Sequence, residues 1–252
     1  MSDFRPRSGS EILDAAFEIY RRHFTVFIAI SVFAAIPWAI ASYVSETAVL
    51  SQQPAELASS LLITLLGFVV APFTEGAMTA AASAAYLGSS VDFGRSFRAA
   101  FARPGRLFFA MCVKWILMGF GLVLFIAPGC IVFKRYFALP MTVVLEDNNV
   151  GDAISRSRTL SNGNGVRIFV LVGGVLFFTM LISLSVGGTI TSVAHGTLAA
   201  AIRLILGTVI TPFSTIVATL LYYDIRIRRE GYDIELMTQA LNAAPPLVQP
   251  VR

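Results

Sequence analysis

Residues 128–140 read PGCIVFKRYFALP, and the fold turns on whether they belong to a membrane span. Pro128-Gly129 has the chemistry of a tight turn. Ile131, Val132 and Phe133 open an apolar run, which Lys134 and Arg135 then interrupt side by side. Two adjacent cations are costly in hydrocarbon. A hairpin turn at the outer surface, followed by a short return span over 131–145, reconciles these features. Both cations then lie about one turn below that surface and snorkel to the headgroups.

Composition supports a membrane setting for this stretch. The chain of 252 residues is 56% hydrophobic and 13% charged, with a mean hydropathy of +0.74. Soluble domains carry nearer a quarter charged residues. If each span takes ~20 residues, five or six spans use about half the chain and leave no room for a separate soluble catalytic domain. The net charge of +4 comes from Arg clusters beside apolar runs, a pattern that suits anionic headgroups and argues against nucleic acid.

Six spans follow from the apolar runs, at 24–44, 57–88, 107–127, 131–145, 168–186 and 198–223. The second is longer than a bilayer needs, so it should tilt, kink or protrude. Before the first pair, residues 8–23 are amphipathic. Ile12, Ala16, Ile19 and Tyr20 share one face, and Ser8 or Ser10 is placed to cap the helix. Residues 89–106 repeat the device, with Phe93, Phe97, Ala100 and Phe101 on one face and Arg95 and Arg98 on the other. Residues 146–167 form a third polar segment. The expected architecture is therefore all-α: a polytopic membrane protein of three hairpins, each preceded by a cytoplasmic amphipathic or polar segment. Its parts are an interfacial helix at 1–23, a membrane domain at 24–225 and a cytoplasmic tail at 226–252 with a Pro-rich, disordered end. Residues 24–41 have some look of a secretory signal, but the helical pattern before them favours an uncleaved first span.

Orientation follows from Lys/Arg asymmetry. The connections at 45–56 and 187–197 hold no Lys or Arg, whereas the opposite side gathers Arg21, Arg22, Arg95, Arg98, Arg103, Arg106, Arg156, Arg158, Arg226, Arg228 and Arg229. Both termini are thus expected in the cytoplasm of a bacterial cell, with the chain in the inner membrane. Pro72, Pro140 and Pro212 recur in the even spans, 68 and 72 residues apart, which suggests three copies of one unit.

The chemistry-bearing residues are few. His23 and His195 fall on opposite sides, Cys112 and Cys130 lie too far apart on one helix for a disulfide, and no metal cluster, phosphate loop or nucleophile elbow occurs. No cofactor, metal or enzymatic activity is therefore expected. Glu146-Asp147 reads as a solvated helix end. Glu75 and Lys114 are sharper, because each lies inside a span at matching depth, and an intramembrane ion pair is expected. Arg203 should snorkel, and together with Lys134, Arg135, Arg95 and Arg98 it is a candidate headgroup or anion contact. Gly76, Ala80, Ala84 and Gly88 form a small-residue stripe suited to close helix packing.

PGCIVFKRYFALPMTVVLEDNNVGDAISRSRTLSNG at 128–163, LLYYDIRIRREGYDIE at 220–235 and EILDAAFEIYRRHF at 11–24 carry a likeness. The chain resembles the membrane-domain family of glycerophosphoryl diester phosphodiesterases and related bacterial multi-span proteins. The resemblance implies a six-span inner-membrane protein without the catalytic domain, since neither histidine lies in a His-Arg pair of the kind that domain uses. The expected function is an accessory, scaffold or lipid-associated component contacting anionic lipid, with a protein partner or a second copy as further contacts. The rival is a transporter or flippase for a lipid or small anionic solute.

Overall fold

The computed structural model describes residues 5–51, 54–124, 126–193, 196–232, 234 and 238. Among these residues every regular element is helical. In chain order they are α1 (Gly9–Arg22), α2 (Phe24–Ser51), α3 (Pro54–Tyr86), α4 (Phe93–Ala100), α5 (Pro104–Leu124), α6 (Ile126–Tyr136), α7 (Leu139–Val144), α8 (Val150–Ser161), α9 (Gly165–Ile168), a π-helical segment (Phe169–Gly173), α10 (Gly174–Val193) and α11 (Gly196–Glu230). Four described stretches are long and apolar enough to cross a membrane: Phe24–Ala41, Ala58–Tyr86, Gly165–Val186 and Leu204–Glu230.

Two helices are far longer than a bilayer requires. α3 has 33 residues and α11 has 35, about 50 Å each at 1.5 Å per residue, against a hydrocarbon thickness of ~30 Å. The surplus is accounted for by a change in burial along each helix. On α3, Leu61, Leu62, Leu65, Leu66, Phe68 and Val69 face outward, whereas Ala77, Met78, Ala81, Ala82 and Tyr86 are buried. On α11, Leu198, Ile205 and Val209 are exposed, whereas Ile216, Val217, Leu220, Leu221, Tyr222 and Tyr223 are buried. Pro72 and Pro212, each inside its helix, mark the two transitions.

The C-terminal halves of α3 and α11 are covered by protein, namely α1, α4, α7 and α8, to form a packed cap. α1 runs antiparallel along α11: the Arg7 N–H donates to Asp224 at 2.7 Å and the Tyr20 hydroxyl to the Val209 carbonyl at 2.7 Å. Ser8 caps it in a reciprocal box with Glu11. The apolar faces expected to lie on lipid are therefore partly spent on protein. Ile12 and Ala16 are fully buried, and on α4 Phe97 meets Phe33 while Phe101 stacks on Phe73 at 4.5 Å. Phe17 and Phe93 still point outward. The expected tail starting at 226 begins later, because Arg226–Glu230 continue α11 and are held by ion pairs described below.

Residues 128–140 fold otherwise than expected. Pro128-Gly129 is helical and lies inside α6, not in a turn. Pro128 occupies the first turn, where backbone N–H groups have no intrahelical partner to lose. Gly129 serves close packing: a Cβ on Gly121 of α5 would lie 2.9 Å from the Gly129 Cα. No continuous return span follows. Pro140 has no N–H for the Tyr136 carbonyl, and its ring would clash there, so α6 stops and α7 restarts with Pro140 in its first turn. The cations also lie at the other end from the one expected. The Arg135 carbonyl accepts from Ser157 at 2.8 Å and Ser161 at 3.3 Å, and Gly165 lies against the Lys134 side chain, which places both residues beside α8 and the cap.

Two further expectations change. The connections without Lys or Arg are largely helix, since α2 runs through Ser51, α3 starts at Pro54 and α10 continues through Val193. The small-residue stripe divides by role. A Cβ on Gly76 would meet Leu107, Ala100 and Val144 at 2.6–3.4 Å, so this position packs within the chain. Ala80 and Ala84 are half-buried. Gly88 packs nothing; it ends α3 at φ 73° with Ser89 N–H on the Ala84 carbonyl and Gly88 N–H on the Ala85 carbonyl, a Schellman cap.

Candidate functional site

A cavity of about 680 Å³ lies where the apolar shell meets the cap. Successive packings of α2 on α3, α3 on α5, α5 on α6, α6 on the π segment, α10 on α11 and α11 on α2 enclose it. Met78, Tyr136, Phe137, Met141 and Ala218, all buried, form its cap-side floor. Trp38, Trp115, Leu176 and Leu204 line it further out. Local sequence explains the room. Gly207, Ala34, Ala35, Ala39 and Ala71 present small surfaces, and the break at 137–138 withdraws α7 from the line of α6. The π segment, which contributes Val172, widens the turn at the facing wall.

Among the described residues, Glu75 and Lys114 are the only charged side chains lining the cavity. Lys114 Nζ donates to Glu75 Oε1 at 2.8 Å, with the two side chains 18% and 28% exposed. Glu75 stands three residues beyond Pro72, and Lys114 reaches it from α5. The pair leaves donors on the ammonium and acceptor capacity on the carboxylate unused. The Ser31 hydroxyl also lines the cavity, is buried, and has no hydrogen-bond partner among the described residues.

The remaining predicted residues lie elsewhere. Arg95 and Arg98 are exposed on α4, where Arg95 bonds Ser90 at 2.8 Å. Arg135 is exposed and Lys134 half-buried at the cap boundary. The Arg203 side chain and His195 lie outside the described residues.

Two buried networks hold the cap, and neither was singled out from sequence. Glu146, expected to be solvated, is drawn in: Arg156 grips it in a fork at 2.8 and 3.0 Å, the Tyr222 hydroxyl donates at 2.7 Å and the Asn148 amide at 3.0 Å. Arg156 also grips Glu230 at 2.5 and 2.8 Å, joining α8 to the end of α11. Burial pushes the Glu146 carboxyl up, but the hydrogen bonds from Arg156 and Tyr222 outweigh it and hold the group below the usual carboxylate range. Asp147 remains exposed, paired with Arg103 and Arg106. The second network centres on Asp224, whose side chain is 3% exposed, pairs with the Arg167 guanidinium at 2.8 Å, and accepts hydrogen bonds from Arg228 at 2.9 Å and from the Arg7 backbone N–H at 2.7 Å, while Arg167 itself donates to the Arg7 carbonyl. The sequence signal for both was faint: an acid in an apolar helix at Asp224, and an acid ten residues before an Arg at Glu146.

Fold and site together define an all-helical protein with helices apolar enough to cross a membrane, an interior apolar cavity carrying one ion pair, and a charge-stapled cap. Searches among known proteins match no family model, no curated protein and no solved structure.

Proposed function

We propose that this chain is a non-enzymatic, lipid-associated protein of the bacterial inner membrane that holds a lipid chain in its central cavity. The observation that carries the reading is the cavity itself: half open, walled by helices, dominated by apolar side chains and set where the outward apolar surface ends. Its about 680 Å³ falls within the ~300–1,000 Å³ of small-molecule sites. In this reading α5 and the short α6 complete six spans in three hairpins, each preceded by a short helix, α1, α4 or α8. The resemblance to the glycerophosphoryl diester phosphodiesterase membrane-domain family accords with such a membrane part. The cap faces the cytoplasm, where Arg21, Arg22, Arg95, Arg98, Lys134 and Arg135 border the apolar shell and meet anionic headgroups.

Native mass spectrometry of the detergent-purified protein tests this. A lipid-sized adduct at one per chain is expected, and Gly207→Leu should remove it. Gly207 lines the cavity and an added Cβ there meets nothing within 4 Å, so the backbone accepts a side chain at the cavity wall. An adduct-free wild-type spectrum under conditions that retain bulk lipid on a control would overturn the proposal.

The discontinuous α6–α7 helix and the intramembrane pair favour a second reading, in which the same cavity is a transport path. Lipid scrambling or solute counterflow in proteoliposomes, abolished by Gly207→Leu, is its test. Equal rates in protein-free vesicles would exclude it.

A further inference from the structure

The cavity's charge pattern restricts the headgroup it accepts. Glu75 and Lys114 neutralise each other at 2.8 Å, and no other charged side chain among the described residues lines the space. A lipid carboxylate or phosphate brought to Lys114 would place a second anion beside Glu75. An amine brought to Glu75 would meet Lys114. Either leaves an uncompensated charge away from water, which is strongly unfavourable. An uncharged group with hydroxyls has no such penalty. It donates to the spare acceptor of Glu75, accepts from the spare donors of Lys114, and satisfies Ser31, whose hydroxyl lines the cavity without a partner.

Volume and access set the rest of the ligand. At about 680 Å³ the cavity has room for at least one acyl chain. Val132 and Phe133 of α6 and Leu176 of α10 line the same side of the cavity, which is half open.

Resting on the lipid-cavity reading above, we infer that the cavity takes a single-chain lipid with an uncharged, hydroxyl-bearing headgroup, such as a monoacylglycerol, with its hydroxyls on Ser31, Glu75 and Lys114. The chain's two tryptophans, Trp38 and Trp115, both line the cavity and supply the readout. The purified full chain is titrated in detergent with a monoacylglycerol, a fatty acid and a lysophosphatidic acid of one chain length, each brominated on the chain to quench nearby indoles. Saturable quenching is expected from the monoacylglycerol at a concentration at least about tenfold below either acid. Ser31→Ala should weaken it about fivefold, the usual effect of losing one hydrogen bond, and Gly207→Leu should abolish it.

If either acid binds as tightly as the monoacylglycerol, the uncharged-headgroup inference is overturned while the lipid cavity stands. If Ser31→Ala binds like the wild type, the hydroxyl assignment at Ser31 is overturned. If none of the three quenches saturably, and Gly207→Leu behaves as wild type, both this inference and the lipid-cavity reading fall.

Discussion

Asp224→Asn is the substitution that most directly tests how the cap is held. The Asp224 side chain is 3% exposed, forms an ion pair with the Arg167 guanidinium, and accepts hydrogen bonds from the Arg228 guanidinium and the Arg7 backbone N–H. Asparagine keeps one acceptor oxygen, turns an amide N–H₂ toward a guanidinium and carries no charge, so the Arg167 ion pair and the charge assistance of the Arg228 bond are both lost, at ~1.5–3 kcal/mol each. Arg228 is 36% exposed and regains water, which recovers part of this. Arg167 is 27% exposed and its Nε is already buried without a partner, so it recovers little. The expected loss is about 3–5 kcal/mol, the usual cost of breaking a buried ion pair from one side. For a chain of this size that is about 6–20 °C in Tm, read by thermal unfolding in detergent. Arg7 is the link between α1 and this network, so hydrogen exchange should show α1 opening before the rest of the cap. Asp224→Asn combined with Arg167→Gln should recover more than ~1 kcal/mol, since the stranded cation is gone. A loss under ~1 kcal/mol, or a double variant no better than the single one, would refute the keystone role.

Other expectations follow from the same physics. Glu75→Gln strands Lys114 in the cavity wall and should cost about 3–5 kcal/mol, largely recovered by adding Lys114→Gln; additive losses in an unfolding double-mutant cycle would show that the two do not interact. Because the folded-state carboxyl of Glu146 is held below its ordinary value, its stabilisation is complete above the unfolded carboxylate range of ~4.3 and fades as pH falls through the lower folded value. Glu146→Gln should therefore flatten the acid limb of a Tm-against-pH profile; an unchanged slope would assign that limb to other groups. Arg95→Glu with Arg98→Glu, both exposed on α4, should reduce co-sedimentation of the detergent-depleted protein with anionic liposomes and steepen with lower salt. Binding unaltered at low salt would remove α4 from the headgroup contact.

How much of this was legible in the sequence depended on the range of the interactions involved. Local patterns translated directly: the Ser8–Glu11 box, the 3.6-residue period of α1, and the apolar runs that became the long helices. Matching depth in adjacent runs was enough to bring Glu75 and Lys114 to one place. Misreadings arose where one residue type serves two geometries. Pro128-Gly129 is equally suited to a turn and to a helix's first turn against a close-packed neighbour, and only Gly121 across the α5–α6 contact decides between them. Gly88 continued a four-residue spacing but stands past the end of the helix. The cap itself was illegible, because a helix buried in lipid and a helix buried in protein carry the same apolar sequence.

That last ambiguity also explains the cations of the 128–140 stretch. Read as a continuous return span, α6 would start at the far surface, and Lys134 and Arg135 would sit near its beginning. The structure ends α6 just after them because Pro140 cannot support the helix, and the freed Arg135 carbonyl is taken up by Ser157 and Ser161 of α8. A helix of 11 residues, about 16 Å, reaches the cap only because the cap rises to meet it, carried on the surplus length of α3 and α11. The short helix and the two overlong ones are thus one adjustment. It lets α7 pack against α3, α5 and α8 while leaving the space between α6 and α11 open. Joining α6 to α7 by Pro140→Ala would favour an unbroken helix, and the cavity, whose floor includes Tyr136, Phe137 and Met141, would be the first feature to change.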